Sequence, residues 1–232
     1  MVPTAEQLAA VDPRVEIAAV FEPARSVGGD FYDAVALDAG RVLFMVGDVT
    51  GKGVPAALFM ALSKALSKSN LIRGAHDLAA SVARLNTDLM AEADVQMGVT
   101  MLVGVLDHAT GHVAMVNAGH EQPLVVAADG AVRQLDMRGG PPFCVVDFPY
   151  EEEEFALGPG DTLVLVTDGA TEAEDAGGAF FGTDRVRAAF GGSEQASALE
   201  RVTALAEAVR TFESGTRPSD DLTILALRRV SG

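Results

Sequence analysis

Short apolar runs that end or begin at an acidic residue recur along this chain. The run 42–46 is continuous and apolar, as expected for a buried strand. Gly47 and Asp48 follow directly, and the glycines of the segment 51–53 allow a sharp turn before a helix. Pro55 suits the first turn of that helix, because its missing N–H costs no hydrogen bond there. We therefore expect Asp48 to lie at the end of a rigid strand.

Three further strands are predicted to carry acids at their ends. A single aspartate in such a place is usually a turn or cap residue, but four similar placements indicate a shared pocket. Carboxylate oxygens are hard ligands that suit magnesium or manganese, and no histidine or cysteine of a typical zinc site lies beside them. The acids are Asp30 before the run 31–37, Asp168 after the run 162–167, and Asp220 and Asp221 before the run 222–227.

The apolar spacing predicts a mixed fold with about nine to eleven strands and two principal helices after the central strand. The runs 15–21 and 31–37 are interpreted as neighbouring strands. In the first helix, apolar residues recur every four positions and are expected to face the core, with Lys64, Ser67 and Lys68 on the opposite side. That apolar stripe consists of Ala57, Leu58, Ala61, Leu62, Ala65 and Leu66.

Composition limits the possible function classes. Aliphatic and aromatic residues make up 49% of the 232 residues, enough for a sizeable core. The formal charge of −16 argues against binding nucleic acid through its phosphates. No apolar run has the length of a membrane span. The single cysteine, Cys144, cannot form an internal disulfide, which favours a cytoplasmic location.

Other catalytic motifs are incomplete. The segment Gly51-Lys52-Gly53 lacks both the upstream glycine and the Ser/Thr of a phosphate-binding loop. Cys144 lies in an apolar stretch and is interpreted as a core thiol. His120 lies in a glycine-bearing turn, where a histidine either satisfies backbone groups or acts as an acid, and the sequence leaves both roles open.

Five motifs occur in order and together resemble the SpoIIE-type branch of metal-dependent protein phosphatases, the bacterial relatives of protein phosphatase 2C. The resemblance covers residues 13–230, interpreted as one phosphatase domain, and residues 1–12 resemble a truncated linker from an upstream regulatory segment. The motifs are Val27–Asp33, Gly47–Gly53, Asn117–His120, Thr167–Gly169 and Asp220–Thr223.

The resemblance implies an α+β fold, a four-layer α-β-β-α sandwich with two stacked, mainly antiparallel sheets flanked by helices. It also implies hydrolysis of phosphoserine or phosphothreonine by a water that bridges two divalent cations, manganese or magnesium. Movement of the helices 55–72 and 78–93 is expected to switch activity, as in relatives.

Site residues follow from the same motifs. Asp30, Asp48 and Asp168 are the expected catalytic acids, and Asp48 resembles the ligand that bridges both metals. Arg25 is a candidate for binding the substrate phosphate. The eukaryotic-type enzymes carry a phosphate-binding arginine four residues before their first acid, and that position is Ser26 here. The expected metal ligands are Asp30, Asp48, the Val49 carbonyl, Asp168, Asp220 and Asp221, with Asp220 preferred over Asp221.

The usual substrate in this branch is a phosphorylated anti-sigma-factor antagonist. The resemblance therefore implies an effector domain of a larger signalling protein, with an upstream sensory or receiver domain and a possible homodimer in the full-length protein. Two alternatives stay open from the sequence: a partner-binding domain without catalysis on the same fold, and a general signalling phosphatase outside sigma-factor control.

Overall fold

The computed structural model describes residues 2–51, 53–93, 97–191 and 194–230. Within these ranges the chain forms six helices and ten strands, in agreement with the predicted number of strands. In chain order they are α1 (Ala5–Ala9), β1 (Val15–Glu22), β2 (Phe31–Ala36), β3 (Arg41–Val49), α2 (Val54–Gly74), α3 (Leu78–Glu92), β4 (Val99–Asp107), β5 (His112–Ala118), β6 (Leu124–Val126), β7 (Val132–Gln134), β8 (Glu153–Ala156), β9 (Thr162–Val166), α4 (Asp168–Thr171), α5 (Gly182–Ala188), α6 (Ala198–Glu213) and β10 (Leu222–Arg229).

The chain folds into two compact units, and each unit is assembled from separate segments. The first unit contains Met1–Pro3, Val27–His120 and Met137–Ala156, and the second contains Thr4–Ser26, Glu121–Asp136 and Leu157–Gly232. The sequence interpretation of residues 13–230 as one domain stays a prediction.

The first unit is an antiparallel sheet with two helices packed on it. The strand order is β2-β3-β4-β5-β8, and every neighbouring pair is antiparallel. Helix α2 contacts β2 and β3, while α3 contacts β5. Burying each large apolar side chain stabilises this unit by about 1.5–3 kcal/mol. The fully buried core includes Leu43, Met45, Leu71, Leu85 and Leu89.

The apolar stripe predicted for α2 is buried only in part, since Leu62 and Leu66 pack half-buried against the core. Leu58 is 67% exposed, whereas Ser63 and Ser67 are fully buried. The same face buries Phe59, Met60 and Leu71. Beside it, the buried Asp33 on β2 accepts both Lys64 and Lys68, with N–O distances of 3.4 and 3.1 Å. Burial lowers the pKa of Lys64, and the nearby Asp33 acts in the opposite direction.

The second unit has the sheet order β1-β10-β9-β6-β7, again antiparallel throughout. Helix α6 packs on β1 and β10, with Val202, Leu205 and Ile224 in a fully buried core. Ser197 caps α6, since its side chain accepts from Glu200 N and the Glu200 side chain returns to the Ser197 backbone.

The expectation that the first two strands are neighbours is wrong. Strand β1 pairs with β10 along its whole length, whereas β2 pairs with β3. The segment between β1 and β2, which contains Pro23 and Gly28–Gly29, is too long for a tight hairpin turn.

The predicted α+β class, with two mainly antiparallel sheets and flanking helices, is confirmed. None of the helices in the described ranges combines the length and the apolar composition that crossing a bilayer requires.

Candidate functional site

Asp30 and Asp48 lie side by side at one end of the first sheet. Strands β2 and β3 pair up to Gly47, and the N–H of Val49 continues this register by donating to the Gly29 carbonyl at 3.3 Å. The two aspartates therefore occupy opposite positions on adjacent chain segments, where side chains share one face. Asp30 is 1% exposed, so its carboxyl group is held within the protein.

Gly29 explains how the predicted ligand oxygens come together. A Cβ atom at Gly29 would lie 2.7 Å from the Val49 carbonyl oxygen and 3.1 Å from Asp48 Oδ1. Only a glycine allows the chain to pass this close to both oxygens. A carboxylate and a carbonyl that flank one point form the hard oxygen set that magnesium or manganese prefers, so these residues fit a divalent cation.

Thr100, which belongs to none of the five sequence motifs, connects β4 to this site. Thr100 lies directly opposite Asp48 in the β3–β4 pair, and its hydroxyl is 2.9 Å from Nδ1 of His120. The Asn117 side chain closes the turn before His120, because its Oδ1 accepts from the His120 N–H at 2.7 Å and its Nδ2 donates to the His120 carbonyl at 3.0 Å. Asn117 thus has a structural role, and His120 is oriented by Thr100.

The loop after Asp48 is anchored by Thr50. The Thr50 N–H donates to the Gly98 carbonyl at 2.9 Å, and the Gly98 N–H donates to Thr50 Oγ1 at 2.8 Å. This reciprocal pair holds the start of the loop against the segment before β4. Lys52, which belongs to the same sequence motif, lies outside the described residues.

The second unit brings its own acids together. Asp168 follows β9, and Asp220 and Asp221 precede β10, which is the antiparallel neighbour of β9. A Cβ atom at Gly169 would collide with the carbonyl oxygen of Asp221, so these two segments are in close contact. Thr167 holds these two segments together, since its N–H donates to the carbonyl of Thr223 at 3.1 Å.

The two adjacent acids of this unit have different surroundings. Asp221 is 5% exposed, and its Oδ1 accepts a hydrogen bond from the N–H of Ala24 at 2.8 Å. Asp220 is only half-buried, and its Oδ1 accepts from the N–H of Asp221 at 3.0 Å. Arg25, next to Ala24, is exposed. Asp221 therefore holds the segment that carries Arg25, a role that sequence reasoning missed.

The predicted acids thus form two groups, Asp30 with Asp48 in the first unit and Asp168 with Asp220 and Asp221 in the second. Within the described parts of the chain, no three histidine, cysteine or acidic side chains form a ready-made metal cluster. The meeting of both groups in one pocket stays a prediction.

Known proteins share this architecture. The family model described as stage II sporulation protein E (SpoIIE) matches residues 38–230. Protein IcfG of Synechocystis sp. is 29% identical over 240 residues, covering 92% of this chain and 38% of IcfG. Phosphoserine phosphatase RsbU of Bacillus subtilis is 27% identical over 216 residues, covering 93% of this chain and 63% of RsbU. The chain therefore spans less than two thirds of either relative.

Among solved structures, the SiaA-PP2C domain of Pseudomonas aeruginosa has a TM-score of 0.84 and 24% identity, covering 96% of this chain and 89% of that domain. The fold is that of a PP2C-type phosphatase domain. Because the family model matches most of its length, the chain belongs to the SpoIIE family. The predicted membership of the SpoIIE-type family is thereby confirmed.

Proposed function

We propose that this chain removes phosphate from phosphoserine or phosphothreonine of a regulatory protein, with two divalent cations, magnesium or manganese, as cofactors. The observation that carries the proposal is the placement of the family's acids in two groups at strand ends, together with the close approach of Asp48 and Val49 oxygens at Gly29. Bound divalent cations supply an acidified water and neutralise charge on the phosphoryl group.

The candidate metal ligands have different roles in this proposal, according to their positions at the strand ends. Asp48 would hold both cations, and the Val49 carbonyl would be a further ligand. Asp30 would belong to the shell of the first cation, and Asp168 and Asp220 would hold the second. Rigid strand ends suit this role, because ligand positions are then fixed before a cation binds.

Asp221 has a different task in this proposal. Its hydrogen bond to the Ala24 N–H orients the segment that carries Arg25, which is exposed and available to a substrate phosphate. A guanidinium group suits such a phosphate, because it donates two parallel hydrogen bonds. In this proposal Arg25 takes the role of the phosphate-binding arginine whose position is occupied here by Ser26.

The proposed substrate is a phosphorylated anti-sigma-factor antagonist, a small protein that carries one phosphorylated side chain. RsbU, which is longer than this chain, is named a phosphoserine phosphatase, and this supports phosphoserine as the substrate group. The greater length of both relatives supports an upstream sensory or receiver domain in the full protein.

Phosphate release from a phosphoserine peptide tests this proposal, with manganese or with EDTA. We expect manganese-dependent turnover that falls by at least about a thousandfold in Asp48→Asn and in Asp168→Asn, because each loses a charged ligand. Asp129→Asn, in an exposed turn, serves as the control and should retain full activity. Equal rates in EDTA would contradict the proposal.

The same assay distinguishes the roles of the two neighbouring acids, Asp220 and Asp221. Asp220→Asn should abolish the manganese response, whereas Asp221→Asn keeps an oxygen for the Ala24 N–H and should mainly raise KM. The reverse order of effects would identify Asp221 as the ligand.

A further inference from the structure

The turn between α2 and α3 encloses a cavity of about 330 Å³ on the first unit. It lies at the opposite end of α2 from Gly53, and a helix of this length separates the two by about 30 Å. The cavity is therefore distinct from the acids of the candidate site. Its polar lining consists of Asn70, Arg73, His76, Asp77, Ser81 and Arg84.

Arg73 is held in place without being neutralised. Its Nη1 donates to Ser69 Oγ at 2.8 Å, and its Nη2 donates to Asn70 Oδ1 at 3.0 Å. Asn70 is in turn fixed by Asp88, whose Oδ2 accepts from Asn70 Nδ2 at 2.8 Å. The guanidinium group is thus oriented at the cavity by two uncharged oxygens.

Arg84 adds a second guanidinium group to this lining, and His76 adds an imidazole ring. In the described part of the chain, neither of them nor Arg73 forms an ion pair with a carboxylate. The one acidic residue of the lining, Asp77, is engaged as the N-cap of α3, where its Oδ1 accepts from the Ala80 N–H at 3.0 Å. Two arginines therefore face a single aspartate, in a chain whose net charge is −16.

The packing of the two helices fixes the shape of the cavity. Gly74 is buried, and a Cβ atom there would collide with Ser81 Oγ, which donates to the Gly74 carbonyl at 2.8 Å. The helices consequently meet closely just where α2 ends, and Arg73 on α2 and Arg84 on α3 both line the cavity.

We propose that this cavity binds a phosphate monoester, with Arg73 and Arg84 as the groups that hold the phosphate. Guanidinium groups match phosphate geometry, and two of them on different helices can bind its oxygens from both sides. The volume lies at the lower end of small-molecule sites and exceeds what a bare phosphate ion fills, so the rest of a small ester fits beside His76 and Ser81.

Titration of the full chain in EDTA tests the proposal without reference to catalysis. Inorganic phosphate, phosphoserine and AMP are the probes, with calorimetry for affinity and amide ¹H–¹⁵N spectra for location. We expect AMP or phosphoserine to bind with a dissociation constant of about 0.1–1 mM and to shift amide signals in residues 70–84. If inorganic phosphate binds as tightly as AMP and phosphoserine, the cavity recognises the free ion and not an ester, which would overturn the proposal.

Matched variants locate the binding. Arg73→Gln and Arg84→Gln should each weaken binding by about tenfold, because each removes a charged hydrogen-bonding partner. Arg133→Gln on β7 is the control and should bind normally. Both cavity arginines are exposed, so the variants should unfold at the temperature of the parent chain. Unchanged affinity in the Arg73→Gln/Arg84→Gln double variant, or no binding at about 10 mM, would overturn the proposal.

Discussion

Thr100 lies directly opposite Asp48 on adjacent antiparallel strands, and the Thr100 hydroxyl is within hydrogen-bonding distance of His120. The histidine of the Asn117–His120 motif is therefore linked to the strand position of the central acid through one side chain. This link gives the Asn117–His120 motif a physical role. Asn117 shapes the turn, and Thr100 orients the imidazole ring of His120 at the end of that turn.

Thr100→Val removes this hydroxyl while preserving shape. We expect a loss of about 1–3 kcal/mol in the free energy of unfolding, because the buried ring nitrogen of His120 loses its partner. Denaturant unfolding measures this loss, and phosphate release under saturating manganese should fall in parallel. Thr87→Val, at an exposed position of α3, is the control with little effect expected. Equal stability of both variants would show that the hydroxyl is not needed.

Gly29→Ala tests the close approach of the candidate ligand oxygens. The new methyl group would meet the Val49 carbonyl, which is backbone and cannot turn away, so the loop after Asp48 must shift. We expect a higher manganese concentration for half-maximal activity, read from a metal titration of phosphate release. Gly40→Ala is the matched control, because its nearest contact is 3.7 Å, and normal metal affinity in Gly29→Ala would contradict the assignment.

Asp33→Asn removes the negative charge that pairs with both Lys64 and Lys68. Breaking a buried ion pair by removing one partner costs about 3–5 kcal/mol, so we expect a large fall in the free energy of unfolding. Asp38→Asn breaks the exposed pair with Arg41 and should cost less than about 1 kcal/mol. Chemical denaturation compares the two, and similar losses would mean that the buried pair does not anchor α2.

Cys144 is expected to react slowly with alkylating reagents. Burial raises the pKa of its thiol from 9.0 to about 11, so the thiolate fraction near pH 8 falls by about a hundredfold relative to an exposed cysteine. Iodoacetamide labelling should accelerate about tenfold per pH unit up to about pH 11. The unfolded thiol loses its proton first, so stability should decline as pH rises from about 9 to about 11. Labelling in urea provides the fast reference, and an equal rate in the folded protein would contradict this prediction.

The strand-end acids were predictable because the signal is local. An apolar run followed by Gly47 and Asp48, or by Asp168 and Gly169, fixes both the strand and the place of the acid. The buried face of α2 was not predictable in this way, because Ser63 and Ser67 are polar while Leu58 is not. That face also buries Phe59, Met60 and Leu71, and the neighbouring Lys64 and Lys68 pair with Asp33, which is distant along the chain.

Thr100 and the hydrogen bond from Ala24 to Asp221 depend on strand register and on contacts between distant segments. No spacing in the sequence marks either of them, since Thr100 carries no motif and Ala24 contributes only its backbone. The pairing of β1 with β10 has the same origin. Long-range partners of this kind become visible only when the chain has been folded.

The pairing of β1 with β10 also sets the order in which the two units can form during synthesis. All segments of the first unit precede Leu157, so its sheet can assemble while the remainder is still being translated. Strand β1 of the second unit, in contrast, waits for β10, which is translated after every other strand of its sheet, with Val15 opposite Arg229. On the ribosome, the sheet of the second unit therefore cannot be completed before β10 has left the exit tunnel.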